Sequence, residues 1–272
     1  MSYGNLFWGN KDVPNHSQWR IKAEKMLAGS NLWTPTADKK YPVGAIAESR
    51  DGWRWRYCEN GAVALAKNRV VTQKTENAAN QDTLQTAYGT AAGTKKFDVL
   101  VGTGGGISDH DLIDGYLLVN QGTGVTDEGD MYVIKDNKWV TGDTVMSIEI
   151  ADAGGVRNVI AATSNITLVE NIRRDVVVMP TTLVGKAIGI CQTIVPIGYY
   201  FWAQTRGVAS CLWDDSDTIL IGDPVGSVAS GSGTTGAVGL VAAIATDPIL
   251  GYVVSVPVTA GADYGLVDLI IE

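Results

Sequence analysis

The stretch Asp109-His110-Asp111 comes nearest to a metal or acid–base centre in this sequence. A histidine between two carboxylates offers imidazole nitrogen and hard oxygen, the donor types that zinc and iron accept. Such a site needs at least three converging ligands, and the other histidine, His16, stands far upstream. No His-x-x-x-His pair places two imidazoles on one helix face. The carboxylates beside His110 therefore read as solvated turn residues, and no metal is expected.

Other candidate motifs each lack a necessary partner. Gly102-Thr-Gly-Gly-Gly follows a strand-like run as a phosphate cradle would. It has no Lys-Ser/Thr signature, however, and the Asp residues that follow would repel phosphate. Gly231-Ser232-Gly233 lies in a low-complexity loop, outside the strand–turn–helix context of a nucleophile elbow. Asp214-Asp215-Ser216-Asp217 lacks the spaced oxygens of a calcium loop and reads as a turn. Cys58, Cys191 and Cys211 are odd in number and widely spaced, which suits buried reduced thiols rather than disulfides or a zinc ribbon. No catalytic residue, cofactor or metal ligand is expected, and the chain reads as a non-enzymatic building block.

Charge narrows the partners. The chain carries 21 Lys and Arg against 29 Asp and Glu, a net charge of −8. A nucleic-acid binder ordinarily presents a basic stripe that displaces counterions from phosphates. The best basic cluster, Arg50, Arg54 and Arg56, is interleaved with Trp53 and Trp55. Alternation of this kind suits a two-faced strand, with tryptophans on one side and arginines on the other. No nucleic-acid partner is expected. No apolar run approaches the ~20 residues of a membrane helix, and no membrane partner is expected either. Met1-Ser-Tyr-Gly-Asn-Leu-Phe-Trp lacks the basic and apolar stretches of a secretory signal, so synthesis in the cytoplasm is expected.

These residues must be held by strands. With 45% hydrophobic and 18% charged residues, the chain has enough apolar surface to order itself. Its 32 glycines, with many Val, Ile and Thr, favour strands joined by tight turns. Residues 1–40 differ. They form an extended arm bearing Phe7, Trp8, Trp19 and Trp33, with one short helix predicted from Ser17 to Ala28 and stopped at Gly29. Its aromatics must pack on something, either the chain's own body or a neighbouring subunit.

From Tyr41 a first β segment and connection covers 41–96. Asp51-Gly52 turns into Trp53–Cys58, a second turn falls at Asn60-Gly61, residues 62–71 suit a short helix or a loop, and 72–96 read as a long surface connection. A small inserted β-module spans 97–150, with a turn at Asp136-Asn137, and a C-terminal β domain spans 151–272. The fold class is all-β, with a sandwich- or barrel-like body. In strand Tyr199-Tyr200-Phe201-Trp202, consecutive aromatics must point to both faces, so both faces need cover. Either a two-sided core or a neighbouring subunit supplies it, and burial in an oligomer is the preferred expectation.

The stretch Gly198-Tyr-Tyr-Phe-Trp-Ala-Gln-Thr-Arg-Gly-Val-Ala-Ser-Cys-Leu resembles a segment of bacteriophage capsid decoration, or cement, proteins. There an aromatic-Trp-x-Gln-x-x-Gly-x-Ala pattern precedes a Gly-Asp strand start and a Gly-rich loop, which here are Ile221-Gly222-Asp223 and 230–239. Pro42-Val-Gly-Ala-Ile, Asp51-Gly-Trp-Arg-Trp-Arg-Tyr, Gly61-Ala-Val-Ala-Leu and Val267-Asp268-Leu269 are similar as well. The resemblance covers about half the chain, and its motifs are strand signatures. It implies a virion protein that trimerises on the outer head surface and binds the major capsid protein. In that setting Phe7, Trp8, Trp19, Trp33 and Tyr41 would contact the capsid or a neighbouring subunit. Tyr199, Tyr200, Phe201 and Trp202 would contact the other members of the homotrimer. The 97–150 module departs from the simplest decoration proteins and points towards a head fibre or a tail-associated receptor- or glycan-binding protein, in which Trp53, Trp55 or Trp213 would stack on sugars.

Overall fold

A computed structural model describes residues 20–22, 32–80, 84–101, 107–121, 127–139, 143–181, 185–214, 218–227, 234–241, 248–257 and 263–272. Strands dominate, and Ala78–Asn80, a 3-10 turn, is the one helical segment among the described residues. The described residues divide into two compact units, 76–171, and 20–75 with 172–272.

In the first unit, six strands run in the order β10-β7-β8-β9-β6-β5. They are β5 (Gln85–Thr86), β6 (Lys96–Leu100), β7 (Tyr116–Gln121), β8 (Met131–Lys138), β9 (Val145–Ile150) and β10 (Asn165–Val169). Alternation in β6 to β9 sends Phe97, Val99, Leu117, Ile134, Met146 and Ile148 into one shared core. The sheet curls until its edges meet at a bridge between Leu84 and Ile166, where the Ile166 N–H donates to the Leu84 carbonyl at 2.7 Å. Closure of this kind removes exposed edge strands. Within 72–96, expected as a long surface connection, lie β5 and buried Leu84, Thr86 and Thr90. The turn expected at Asp136-Asn137 is absent: β8 runs through both residues, pairing Asn137 with Ile148. The buried Asn137 side chain accepts from Leu112 N–H at 2.8 Å and donates to the Ser108 carbonyl at 2.9 Å, so its polar groups are satisfied without a turn.

In the second unit the hub is β13 (Tyr200–Leu212), 13 residues long. It pairs with β3 (Arg54–Glu59) over its first half and with β17 (Tyr264–Ile270) over its second. The change falls at a bulge between Gln204 and Arg206, followed by Gly207 at φ +84°. A Cβ on Gly207 would sit 2.5 Å from the Trp53 ring, so only glycine fits under that indole. From β17 the sheet continues through β16 (Ile249–Ser255) and β14 (Pro224–Ser227) to β15 (Val238–Leu240). On the other side β12 (Ala187–Cys191) joins β13 to β4 (Arg69–Thr72), which pairs with β11 (Val177–Val178). Gly236 bonds both Met179 and Val70, drawing the β15 end back to β4 and β11. The curled sheet encloses Val70, Cys211, Trp213, Val238, Leu250 and Val267.

Beyond β3 lie β2 (Ile46–Glu48) and β1 (Arg20–Lys22), the latter paired in parallel with β2. The helix expected over Ser17–Ala28 is therefore a strand where it is described, because the edge of β2 satisfies its backbone. The remainder of that helix lies outside the described residues. The Asp51-Gly52 hairpin forms as expected, with Ser49 N–H donating to the Trp53 carbonyl at 3.0 Å. Residues 62–68 are a loop that leads into β4.

Candidate functional site

His110 stands in the turn between β6 and β7 with φ +65°. Its Nδ1 lies 2.6 Å from Asp136 Oδ1 and its Nε2 3.3 Å from Asp109 Oδ2. The hydrogen bond to Asp136, reinforced by that carboxylate's charge, pushes the imidazole above its ordinary 6.5. The neighbouring acids are engaged in the turn itself. Asp109 accepts from Trp139 N–H at 3.2 Å, and Asp111 accepts from Ser108 N–H at 2.7 Å. Among the described residues, no group of three or more His, Cys, Asp or Glu side chains converges as a metal site.

Beside this turn lies a shallow polar depression of about 140 Å³, lined by Lys96, Asp136, Asn137, Lys138, Ser147 and Glu149. Glu149 already accepts from Lys135. Ligand pockets are ordinarily about 300 Å³ or larger, with apolar walls, and this depression has neither property. Gly102–Gly106, Asp215–Asp217 and Ser232 lie outside the described residues. All three cysteines are buried, and burial pushes the thiols of Cys58, Cys191 and Cys211 up to about 12, 11 and 12. They are held as thiols, the unreactive form.

The aromatic strand is covered on both faces by its own chain. Phe201, 1% exposed, packs with Cys58, Leu65, Val71, Val176 and Val195. Trp202, 3% exposed, turns the other way onto Leu32, Ala45, Ala47 and Tyr57, with ring centroids 5.0 Å apart for the Tyr57 pair. Tyr200 stacks on Tyr57 at 5.8 Å. Burial first, then the adjacent Glu59 carboxylate, pushes its hydroxyl up to about 12. Tyr199 is half-buried against the Phe201 cluster. Cover for Phe201 and Trp202 thus comes from within the chain, from residues as far upstream as Leu32 and Cys58 and as near as Val195, which leaves little of either ring exposed. Tyr41 packs in the same way, 5.3 Å from Tyr57 and 5.4 Å from Trp202. Trp33 is exposed, whereas Phe7, Trp8 and Trp19 lie outside the described residues.

The remaining surface candidates separate by burial. Trp55 and Trp213 are buried, so of the three sugar-stacking tryptophans Trp53 alone, 36% exposed, presents a ring to solvent. Arg54 pairs with Glu48 at 3.1 Å, and Arg56 and Arg173 both bind Glu272. Burial raises the Glu272 carboxyl, but the Arg56 hydrogen bond and the Arg173 charge outweigh it and hold it below the ordinary 4.5. Those arginines are neutralised within the chain rather than arrayed as a basic stripe.

What the sequence reading missed is the outer face of β16 and β17. Tyr252, Val254, Tyr264, Leu266 and Ile270 stand there, each between 40% and 48% exposed. The available signal was Leu266-Val267-Asp268-Leu269-Ile270, which is apolar at both parities and so requires cover on both sides. Comparison with protein-family models, curated proteins and solved structures found no match. No helix among the described residues is long and apolar enough to cross a membrane.

Proposed function

We propose that this protein is a non-enzymatic structural subunit of a bacteriophage virion. Within that class it is a capsid decoration protein, bound to the major capsid protein on the outer head surface as a homotrimer. The observation that carries the reading is the apolar outer face of β16–β17, because exposed apolar faces of this kind are ordinarily covered in assemblies. The resemblance around Gly198–Leu212 supplies the virion context, and it falls on the strand that anchors this face. Decoration proteins clamp neighbouring capsomers against the pressure of packaged DNA. Heads that lack the protein should therefore release DNA at a lower temperature than complete heads, and release at equal temperatures would overturn the proposal.

A second reading, a fibre or tail-associated glycan binder, is favoured by Trp53 alone. Its ring seats on Gly207 and leaves part of its surface open. Glycan-array binding that disappears in Trp53→Ala would establish that reading, and a blank array would remove it.

A further inference from the structure

We propose that the outer face of β13–β17–β16 is where copies of this chain pack against one another, with Asp268 of one copy set against Arg206 of the next. This rests on the reading above that the protein acts as a homo-oligomer, and it moves the contact away from Tyr199–Trp202. In β17, alternation buries Gly265, Val267 and Leu269 and leaves Tyr264, Leu266, Asp268 and Ile270 outside. Register then places Arg206 opposite Ile270, Val208 and Tyr252 opposite Asp268, and Ser210 opposite Leu266. Directly opposed residues share a face, so these side chains form one surface. The turn bearing Leu220 and Ile221, 63% and 71% exposed, is tied to β16 by Gly222 N–H on the Val253 carbonyl at 2.9 Å.

Charge identifies the occupant. Tyr252, Val254, Tyr264, Leu266 and Ile270, each 40–48% exposed, make the face apolar, the character of a surface that another protein covers. Asp268 stands within the apolar face and Arg206 at its border, on adjacent strands, and neither has an ion-pair partner among the described residues. A covering partner must bring a cation to Asp268, since a desolvated lone carboxylate is costly. A second copy brings Arg206 and leaves no charge over.

Sedimentation equilibrium of the full chain tests this, with circular dichroism confirming that each variant folds. Wild type should associate. Asp268→Arg and Leu266→Glu should each weaken association by on the order of tenfold or more. Arg206→Asp combined with Asp268→Arg should restore it to within about threefold of wild type. A monomeric wild type, single variants that leave the mass unchanged, or a double variant that fails to restore it would each overturn the inference. If the variants keep the wild-type mass but lose binding to heads, the face belongs to the shell protein: the inference falls while the decoration reading stands. If association responds as expected but heads gain no stability from the protein, the inference stands and the decoration reading falls.

Discussion

Gly265 in β17 lies directly beneath the Trp213 indole, and replacing it with alanine puts a methyl group where the ring already is. The added Cβ would fall 1.5 Å from Nε1, 2.1 Å from Cε2 and 2.5 Å from Cζ2. Non-bonded carbon atoms settle about 3.5–4.0 Å apart, so ring or strand must retreat by about 2 Å. The ring has little room to move, being 2% exposed among the side chains of the larger unit's core. The strand is held on both sides, by β13 through Leu212–Tyr264 and its neighbours and by β16. Over-packing costs about 1–3 kcal/mol, and expelling a core tryptophan about 3–5 kcal/mol. Gly265→Ala should therefore destabilise by about 3 kcal/mol, a large share of the ~5–15 kcal/mol available to a folded domain. Urea unfolding followed by far-ultraviolet circular dichroism measures the loss. In a Trp213→Ala background the same substitution should cost less than about 1 kcal/mol, because the obstacle is gone. A single-variant cost below about 1 kcal/mol, or an equal cost in both backgrounds, would refute the reasoning.

Three further outcomes are expected. Glu272→Gln should cost about 2 kcal/mol, discounted for residual solvent, by leaving Arg56 and Arg173 without their shared carboxylate. Because the folded-state value of Glu272 lies below 4.5, its contribution is complete above that pH and is lost as pH falls through the lowered value. Thermal unfolding between neutral and acid pH should show a shallower acid loss in the glutamine variant than in wild type. Native protein treated with iodoacetamide at mildly alkaline pH should show no modified cysteine by mass spectrometry, with all three labelled after unfolding in denaturant. A proton-NMR titration should place His110 above 6.5, and Asp136→Asn should lower it towards that value. The stabilising contact with Asp136 is complete below 6.5 and fades as pH rises through the raised value.

Local grammar made much of the fold legible. Strict alternation over Thr144–Ile150 marked β9, and Asp51-Gly52 marked the hairpin into β3, because pleat and turn geometry act over a few residues. The same grammar misled at Asp136-Asn137, where a buried Asn side chain bonding Leu112 and Ser108 keeps a strand in what reads as a turn. It also passed over β10, a short strand that exists because a longer partner templates it.

The contrast is sharpest at the two strands that are apolar on both faces. For Tyr199–Trp202 the sequence by itself determined that each side needs cover, since strand side chains alternate whatever lies above them, and Leu266–Ile270 carries the same signal, which the sequence reading missed. Only the tertiary structure decided what supplies the cover. At the first strand, Leu32, Ala45 and Tyr57 arrive on one face and Leu65, Val176 and Val195 on the other. At the second, the chain fills the inner side and leaves the outer one open. The physical reason is that cover is non-local: it depends on which distant segments the sheet order brings alongside, and no window of neighbouring residues carries that information.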